Sequence, residues 1–160
     1  MHLSTKRYGH EAGFSCAFRQ WKADSHCRLL HGYAMAFKFV FSAEELDVRN
    51  WVVDFGGLKP LKGILEDTFD HKTIVASDDP QIEWFRQGQK LGTLELVEVE
   101  AGGCEKFAEL VYEVTEQWLK DAGYGARVKL VSVEVSEHGS NSAIYMPSLP
   151  LGTLHTHSPQ

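Results

Sequence analysis

A short polar loop carries the most reactive side chains of this chain, in the stretch "DSHCRLLHGYAMAF" that begins at Asp24. Cys27 stands between His26 and Arg28, and cationic neighbours favour the thiolate, which is the basic and nucleophilic form of cysteine. We therefore interpret Cys27 as a candidate base, although an ordinary exposed cysteine explains the local sequence equally well. His31 begins an aromatic stretch and is a candidate metal ligand or base, although most lone histidines are simply hydrogen-bonded.

Two further places combine an acidic residue with the histidine that follows it. Asp70 and His71 end a predicted helix, where a carboxylate can orient an imidazole for acid–base catalysis. Glu137 and His138 end the last predicted strand, where a carboxylate can accept paired N–H groups from a flat heterocycle. Such pairs also arise by chance at helix and strand ends, so each is a weak indication by itself.

The pattern of apolar residues predicts the elements that position these side chains. Alternation predicts strands at 14–18, 31–41 and 127–137, with a short edge strand at 94–99. Helical spacing predicts an amphipathic helix from 58 to 70, a short helical piece around 82–85 and a long helix from 104 that Gly123 ends. This order favours an α+β domain with helices on one face of an antiparallel sheet.

Composition narrows the class of protein. The chain has 160 residues, 43% of them hydrophobic and 24% charged, which predicts one globular domain. A net charge of −6 argues against a nucleic-acid surface, which needs clustered Lys and Arg. No apolar run approaches the roughly 20 residues of a membrane helix, and Met1–Gly9 lacks the apolar core of a signal peptide. We expect a cytoplasmic protein with reduced thiols at Cys16, Cys27 and Cys104.

Six short segments, in this order, resemble successive blocks of the 6-pyruvoyl- and 6-carboxy-tetrahydropterin synthase family. They are FSCAFRQ (14–20), CRLLHGY (27–33), VVDFGGLK (52–59), FDHKTI (69–74), CEKFA (104–108) and VEVSE (133–137). The resemblance implies a tunnelling fold, with an antiparallel four-stranded sheet and two helices on one face, closed into a barrel by oligomerisation. It also implies homotrimers that stack into hexamers, with active sites between subunits. We accordingly expect a pterin synthase-like domain at 1–146 and a C-terminal tail at 147–160.

The resemblance also implies roles for individual residues. Cys27 matches the cysteine that takes a proton from the side chain of 7,8-dihydroneopterin triphosphate. Asp70 and His71 match the pair that assists proton transfer. Glu137 matches the strand-end glutamate that anchors the pterin ring, and Glu105 matches a second glutamate at the start of the second helix.

The zinc ligands of the family are altered in this chain. Three histidines hold Zn²⁺ in the family, and the matching positions here are Phe18, His31 and Tyr33. A catalytic zinc normally takes three protein ligands, so His31 alone is not a site. Cys16 and His26 lie close enough in sequence to be replacement ligands, which leaves a rewired zinc site open. Gly102 and Gly103, where the family usually has Pro-Thr, are a second departure.

These observations predict a lyase of the pterin synthase type that acts on 7,8-dihydroneopterin triphosphate or a related dihydropterin. The alternative is a non-catalytic pterin or purine binding module that has lost the zinc site. A third reading is a metal-free aldolase or epimerase on the same pterin. The sequence leaves open whether a product would enter queuosine or tetrahydropterin biosynthesis.

Overall fold

The computed structural model describes residues 1–147, which contain seven strands and three α-helices. The strands are β1 (His2–Tyr8), β2 (Phe14–Phe18), β3 (His31–Ala43), β4 (Lys72–Ala76), β5 (Leu96–Val99), β6 (Lys129–His138) and β7 (Asn141–Tyr145). The helices are α1 (Lys59–Phe69), α2 (Ile82–Lys90) and α3 (Cys104–Asp121). Except for Pro147, the predicted tail 147–160 lies outside the described residues.

The long strand β3 organises the sheet. On one side it pairs antiparallel with β2 along its first half and with β1 along its second half, and on the other side it pairs antiparallel with β6. β7 continues the sheet beyond β6. β1, β3, β6 and β7 therefore form the expected antiparallel four-stranded sheet. β4 and β5 extend it beyond β2 with two parallel pairings, which makes the whole sheet mixed.

A continuous aromatic core joins α1 and α3 to one face of this sheet. The ring of Phe37 on β3 lies 4.8 Å from that of Phe69 on α1, which lies 5.7 Å from that of Phe107 on α3. All three side chains are buried. Each buried aromatic contributes roughly 1.5–3 kcal/mol of transfer free energy, so these contacts fix the helices against the sheet. None of the helices within residues 1–147 is long and apolar enough to cross a membrane.

The predicted elements at 14–18, 31–41, 58–70, 94–99, 104–122 and 127–137 are all confirmed, with shifts at their ends. The helical piece around 82–85 extends to Lys90. Three strands have no counterpart in the prediction. β1 is largely exposed and polar, β4 is a short run buried on both faces, and β7 is a short edge strand. Alternation of apolar and polar residues identifies a strand only when one of its faces is buried and the other is exposed to solvent.

Gly32 allows β2 and β3 to approach closely. A Cβ atom at Gly32 would overlap the carbonyl oxygen of Cys16 and lie 3.2 Å from the Cα of Ala17. Gly63 on α1 is different, because a Cβ there would meet nothing within 4 Å.

We predict opposite effects on stability from adding one methyl group at these two glycines. Gly32→Ala should lower the free energy of unfolding by about 1–3 kcal/mol, because overpacking against backbone forces the strands apart. Gly63→Ala should raise it by up to about 1 kcal/mol, because alanine favours a helix interior. Urea unfolding of both variants checks this. A Gly32→Ala protein as stable as the parent would contradict the close approach.

Candidate active site

Three aromatic rings meet where β2 ends and β3 begins. The antiparallel register places Phe18 opposite His31 and Cys16 opposite Tyr33. The ring centroids of Phe18 and His31 are 5.0 Å apart, those of His31 and Tyr33 are 5.7 Å apart, and those of Phe18 and Tyr33 are 6.2 Å apart. We call this set the Phe18–His31–Tyr33 ring cluster. It brings together the three positions that match the zinc ligands of the resembled family.

Cys27 lies on a short 3-10 helix, His26–Arg28, in the loop that joins β2 to β3. The side chain of Ser25 caps this helix by accepting the N–H of Cys27 at 3.3 Å. The N–H of Gln20 donates to the carbonyl of Cys27 at 2.9 Å, which ties the loop back to the end of β2. These hydrogen bonds fix the loop, and because Cys27 is half-buried, solvent can still reach its thiol.

Tyr33 connects the ring cluster to Cys27 and to the end of β6. Burial raises the pKa of Tyr33 above its ordinary value, and the carboxylate of Glu137 raises it further, with additional contributions from the Cys27 and Cys104 side chains. These three residues therefore all lie in the neighbourhood of Tyr33. The ring of His138 also lies 5.7 Å from that of Tyr33. The fold thus places both Cys27 and Glu137, which are far apart in sequence, near Tyr33.

Cys104 opens α3 directly against this neighbourhood. Burial raises the pKa of its thiol to about 12, and the negative charges of Glu137 and Glu105 add to the increase. Sequence reasoning identified Cys104 only as a residue at a helix start. The sequence feature that points to Cys104 is its position next to Glu105, because both residues lie in the first turn of α3. Gln20 was also missed, and its side-chain amide donates to the carbonyl of Gly102 at 3.2 Å just before this helix.

Asp70 and His71 form the predicted pair at the end of α1. The Nδ1 atom of His71 lies 2.8 Å from a carboxylate oxygen of Asp70, which orients the imidazole. The imidazole itself is 85% exposed. His71 has a φ of 58°, a left-handed conformation that costs about 1–3 kcal/mol and often marks a functional position. The backbone N–H of His71 donates to the carbonyl of Ser15 at 2.7 Å, which anchors the pair to the start of β2.

The backbone of the Asp70–His71 pair is anchored near the start of β2, whereas the Cys27 loop begins after its last residue, Phe18. Ser15 precedes Phe18 by three residues, which corresponds to about 10 Å along a strand. The pair therefore lies at one end of β2 and the Cys27 loop at the other, and Tyr33, opposite Cys16, lies between them along the strand.

The donor set around His31 does not fit a zinc ion. Within residues 1–147, no three His, Cys, Asp or Glu side chains come together as a group that could hold a metal ion. The Nδ1 atom of His31 is hydrogen-bonded to the carbonyl of Leu29 at 2.7 Å, so Nε2 is its one remaining donor atom for a metal. Cys16 is buried, and burial raises the pKa of its thiol to about 12, which disfavours a free thiolate ligand. His26 is exposed on the loop. The structure does not assemble His31, Cys16 and His26 into a ligand set.

Comparison with known sequences identifies relatives of this chain. A family model described as 6-pyruvoyl tetrahydropterin synthase matches residues 9–148. The chain is 28% identical over 136 residues to a 6-carboxy-5,6,7,8-tetrahydropterin synthase from Aquifex aeolicus, with 83% of each protein covered. It is 34% identical over 88 residues to a protein of the same name from Rickettsia bellii, with 54% of this chain and 57% of that protein covered.

Solved structures share the fold. An uncharacterised protein from Wolinella succinogenes has a TM-score of 0.77 at 20% identity, with 92% of this chain and 98% of that chain covered. A Plasmodium vivax 6-pyruvoyltetrahydropterin synthase with cysteine in place of a catalytic glutamate has a TM-score of 0.63 at 14% identity, with 93% and 100% covered. The Caenorhabditis elegans 6-pyruvoyl tetrahydropterin synthase has a TM-score of 0.57 at 18% identity, with 92% and 94% covered. These likenesses confirm the expected tunnelling fold.

The three cysteines should differ sharply in reactivity. Cys27 is half-buried on a loop, whereas Cys16 and Cys104 are buried with thiol pKa values of about 12. Because alkylation needs an accessible thiolate, brief treatment of the folded protein with limiting iodoacetamide at pH 8 should label Cys27 first. Peptide mass spectrometry measures the order. All three should react in guanidinium chloride, which is the control. Equal or faster labelling of Cys16 or Cys104 in the folded protein would contradict the assignment of Cys27.

Proposed function

The chain belongs to the 6-pyruvoyl tetrahydropterin synthase family, and from this premise we propose that it acts on 7,8-dihydroneopterin triphosphate or a related dihydropterin. Family membership makes it a pterin synthase-type lyase. In our proposal Cys27 is the base, Asp70 and His71 relay the proton, and Glu137 with Glu105 binds the pterin ring. The observation that carries this proposal is the β2–β3 register, which places the Phe18–His31–Tyr33 ring cluster beside the Cys27 loop, with the ring of His138, next to Glu137, 5.7 Å from that of Tyr33.

The proposed chemistry is proton transfer on the pterin side chain. The Cys27 thiolate accepts a proton from the side-chain carbon that adjoins the ring, and the electron pair of that C–H bond moves into the adjacent C=N bond of the dihydropterin. A proton delivered by the His71 imidazole to that ring nitrogen would neutralise the developing charge. Asp70 holds the imidazole through the 2.8 Å contact with Nδ1, so Nε2 is the atom that would face the substrate.

Recognition of the pterin ring is proposed to involve the end of β6. The carboxylate of Glu137 is half-buried and lies in the neighbourhood of Tyr33 and Cys104. A carboxylate can accept two parallel N–H groups from the amino-pyrimidine edge of a pterin. The Phe18–His31–Tyr33 ring cluster adds an aromatic surface next to it, and flat heterocycles pack favourably against such rings.

No step of the proposed reaction is assigned to zinc. Phe18 and Tyr33 remove two of the three donors that the family uses, and Cys16 with His26 does not complete a set. A Lewis acid at this place contributes several kcal/mol of transition-state stabilisation. We infer that the chain catalyses a less demanding proton transfer on a dihydropterin, or the family reaction at a lower rate.

Assembly into a trimer or hexamer is part of the proposal. The edge strand β5 and the edge strand β7 have no neighbour on their outer sides in the described chain, and open edges favour pairing with another chain. The imidazole of His71 is exposed, and the backbone of this residue is anchored at Ser15, three residues before the end of β2 where the Cys27 loop begins. A site between subunits would let the pair of one subunit approach the Cys27 of another.

The rival function is a pterin or purine binding module. It is favoured by the loss of metal donors at Phe18 and Tyr33, since binding alone needs only the glutamates. Retention of Cys27 together with Asp70 and His71 favours catalysis.

Incubation with 7,8-dihydroneopterin triphosphate tests the proposal. The parent protein should consume it, and Cys27→Ala should reduce kcat by about 10²-fold or more, because a positioned base typically contributes that much. Glu137→Gln should instead raise KM, whereas Glu134→Gln, three residues earlier on β6, should leave KM unchanged. Liquid chromatography of the pterin products measures turnover.

Fluorescence titration with the same dihydropterin separates the two functions. Tight binding by both the parent and Cys27→Ala, with no consumption by either protein, would reject the enzyme and support the binding module. Turnover that is unchanged in Cys27→Ala would reject Cys27 as the base.

A further inference from the structure

A buried ion pair lies directly behind the loop that carries Cys27. Arg19 follows the last residue of β2, and its Nε and Nη2 atoms donate to the two carboxylate oxygens of Asp79 at 2.7 and 2.6 Å. The side chain of Asp79 is 1% exposed and that of Arg19 is 19% exposed. This bidentate geometry is the strongest form of an arginine–carboxylate contact. Asp79 lies just before α2, 60 residues from Arg19.

The same arginine also holds the backbone of the Cys27 loop. Its Nη1 atom donates to the carbonyl of Arg28 at 3.2 Å, and the neighbouring N–H of Gln20 donates to the carbonyl of Cys27 at 2.9 Å. Two consecutive carbonyls of the 3-10 helix are therefore fixed by residues 19 and 20. Because a guanidinium is planar and rigid, its orientation by Asp79 also fixes where Nη1 points.

Two further contacts hold the Arg19–Asp79 pair in this orientation. The carboxylate of Asp79 also accepts a hydrogen bond from the N–H of Gln81 at 2.8 Å, which couples Asp79 to the start of α2. The guanidinium of Arg19 lies 5.9 Å from the ring centroid of the buried Phe85 on α2. The hydrogen bonds from Arg19 are the main reason that the pKa of Asp79 lies below its ordinary value, so the carboxylate stays charged.

We propose that Arg19, oriented by Asp79, is a positioning residue that sets the place of the Cys27 thiol relative to Tyr33 and Glu137. The proposal rests on the proposed role of Cys27 as a base, and it adds a device outside the site that determines the geometry of that base. Arg19 reaches the thiol only through the loop backbone and does not act on the substrate.

The adjacent residue Asp78 provides a matched control. It is exposed, and its carboxylate contacts the side chains of Trp21 at 3.1 Å and Lys22 at 2.9 Å on the same loop. Exposed pairs of this kind contribute little, so Asp78→Asn removes the same charge from the same turn without disturbing Arg19. Asp79→Asn removes the partner that orients Arg19. Arg19→Lys keeps the positive charge but loses the planar bidentate contact.

The test compares Asp79→Asn and Arg19→Lys with Asp78→Asn, each checked for native circular dichroism. The rate constant for alkylation of Cys27 by iodoacetamide at pH 8 should change severalfold in the first two variants and match the parent in Asp78→Asn. With 7,8-dihydroneopterin triphosphate, kcat should fall about tenfold or more at nearly unchanged KM, because a displacement of about 1 Å can cost ~10²-fold in rate. A purely structural role would lower the unfolding temperature and leave both readouts at parental values.

The two readouts separate this proposal from the proposed function. If the parent protein shows no turnover, the proposed function fails, and the alkylation rates still decide whether Arg19 positions Cys27. If the parent turns over and Asp79→Asn and Arg19→Lys both retain parental kcat and alkylation rate, the positioning role is overturned. Should Asp79→Asn not fold, Arg19→Lys decides the comparison by the same criteria.

Discussion

The pairing of β2 with β3 is the constraint on which the candidate site depends. Its register sets Phe18 against His31 and Cys16 against Tyr33. A slip of one residue would turn every side chain of β2 to the opposite face of the sheet. The core prevents this slip, because Phe18 is buried with its ring 5.2 Å from that of Phe107 on α3. The same packing that stabilises the fold therefore also fixes the surface on which a pterin would bind.

Sequence patterns predict the parts of this molecule that have one buried face. The strands β2, β3 and β6 and the helices α1 and α3 follow from apolar periodicity alone. β1 and β4 do not follow from alternation. β1 is defined by its pairing with β3, and β4 by its burial between β2 and β5. Within the site, the Asp70–His71 contact was predictable because the two residues are adjacent. The contact of Arg19 with Asp79 was not, because it joins loops that only the folded chain brings together.

The chemistry of the proposed site follows from what the ring cluster replaces. Where the resembled family places metal donors, this chain places an apolar ring and a phenol around a single histidine. The proposed acid–base residues Cys27, Asp70 and His71 match the resembled family, as does the carboxylate of Glu137. In the proposed reaction these residues bind the pterin and move its proton without help from a Lewis acid.

Calorimetric zinc titration of the parent protein and of the Phe18→His/Tyr33→His variant tests most directly whether the ring cluster has replaced a metal site. The parent should bind zinc weakly and below one ion per chain. The double variant should bind zinc with an affinity higher by orders of magnitude, because β2 and β3 already direct the new imidazoles toward His31. One tightly held zinc per parent chain, lost on Cys16→Ala, would contradict the replacement of the metal site by the ring cluster and show a rewired catalytic metal site.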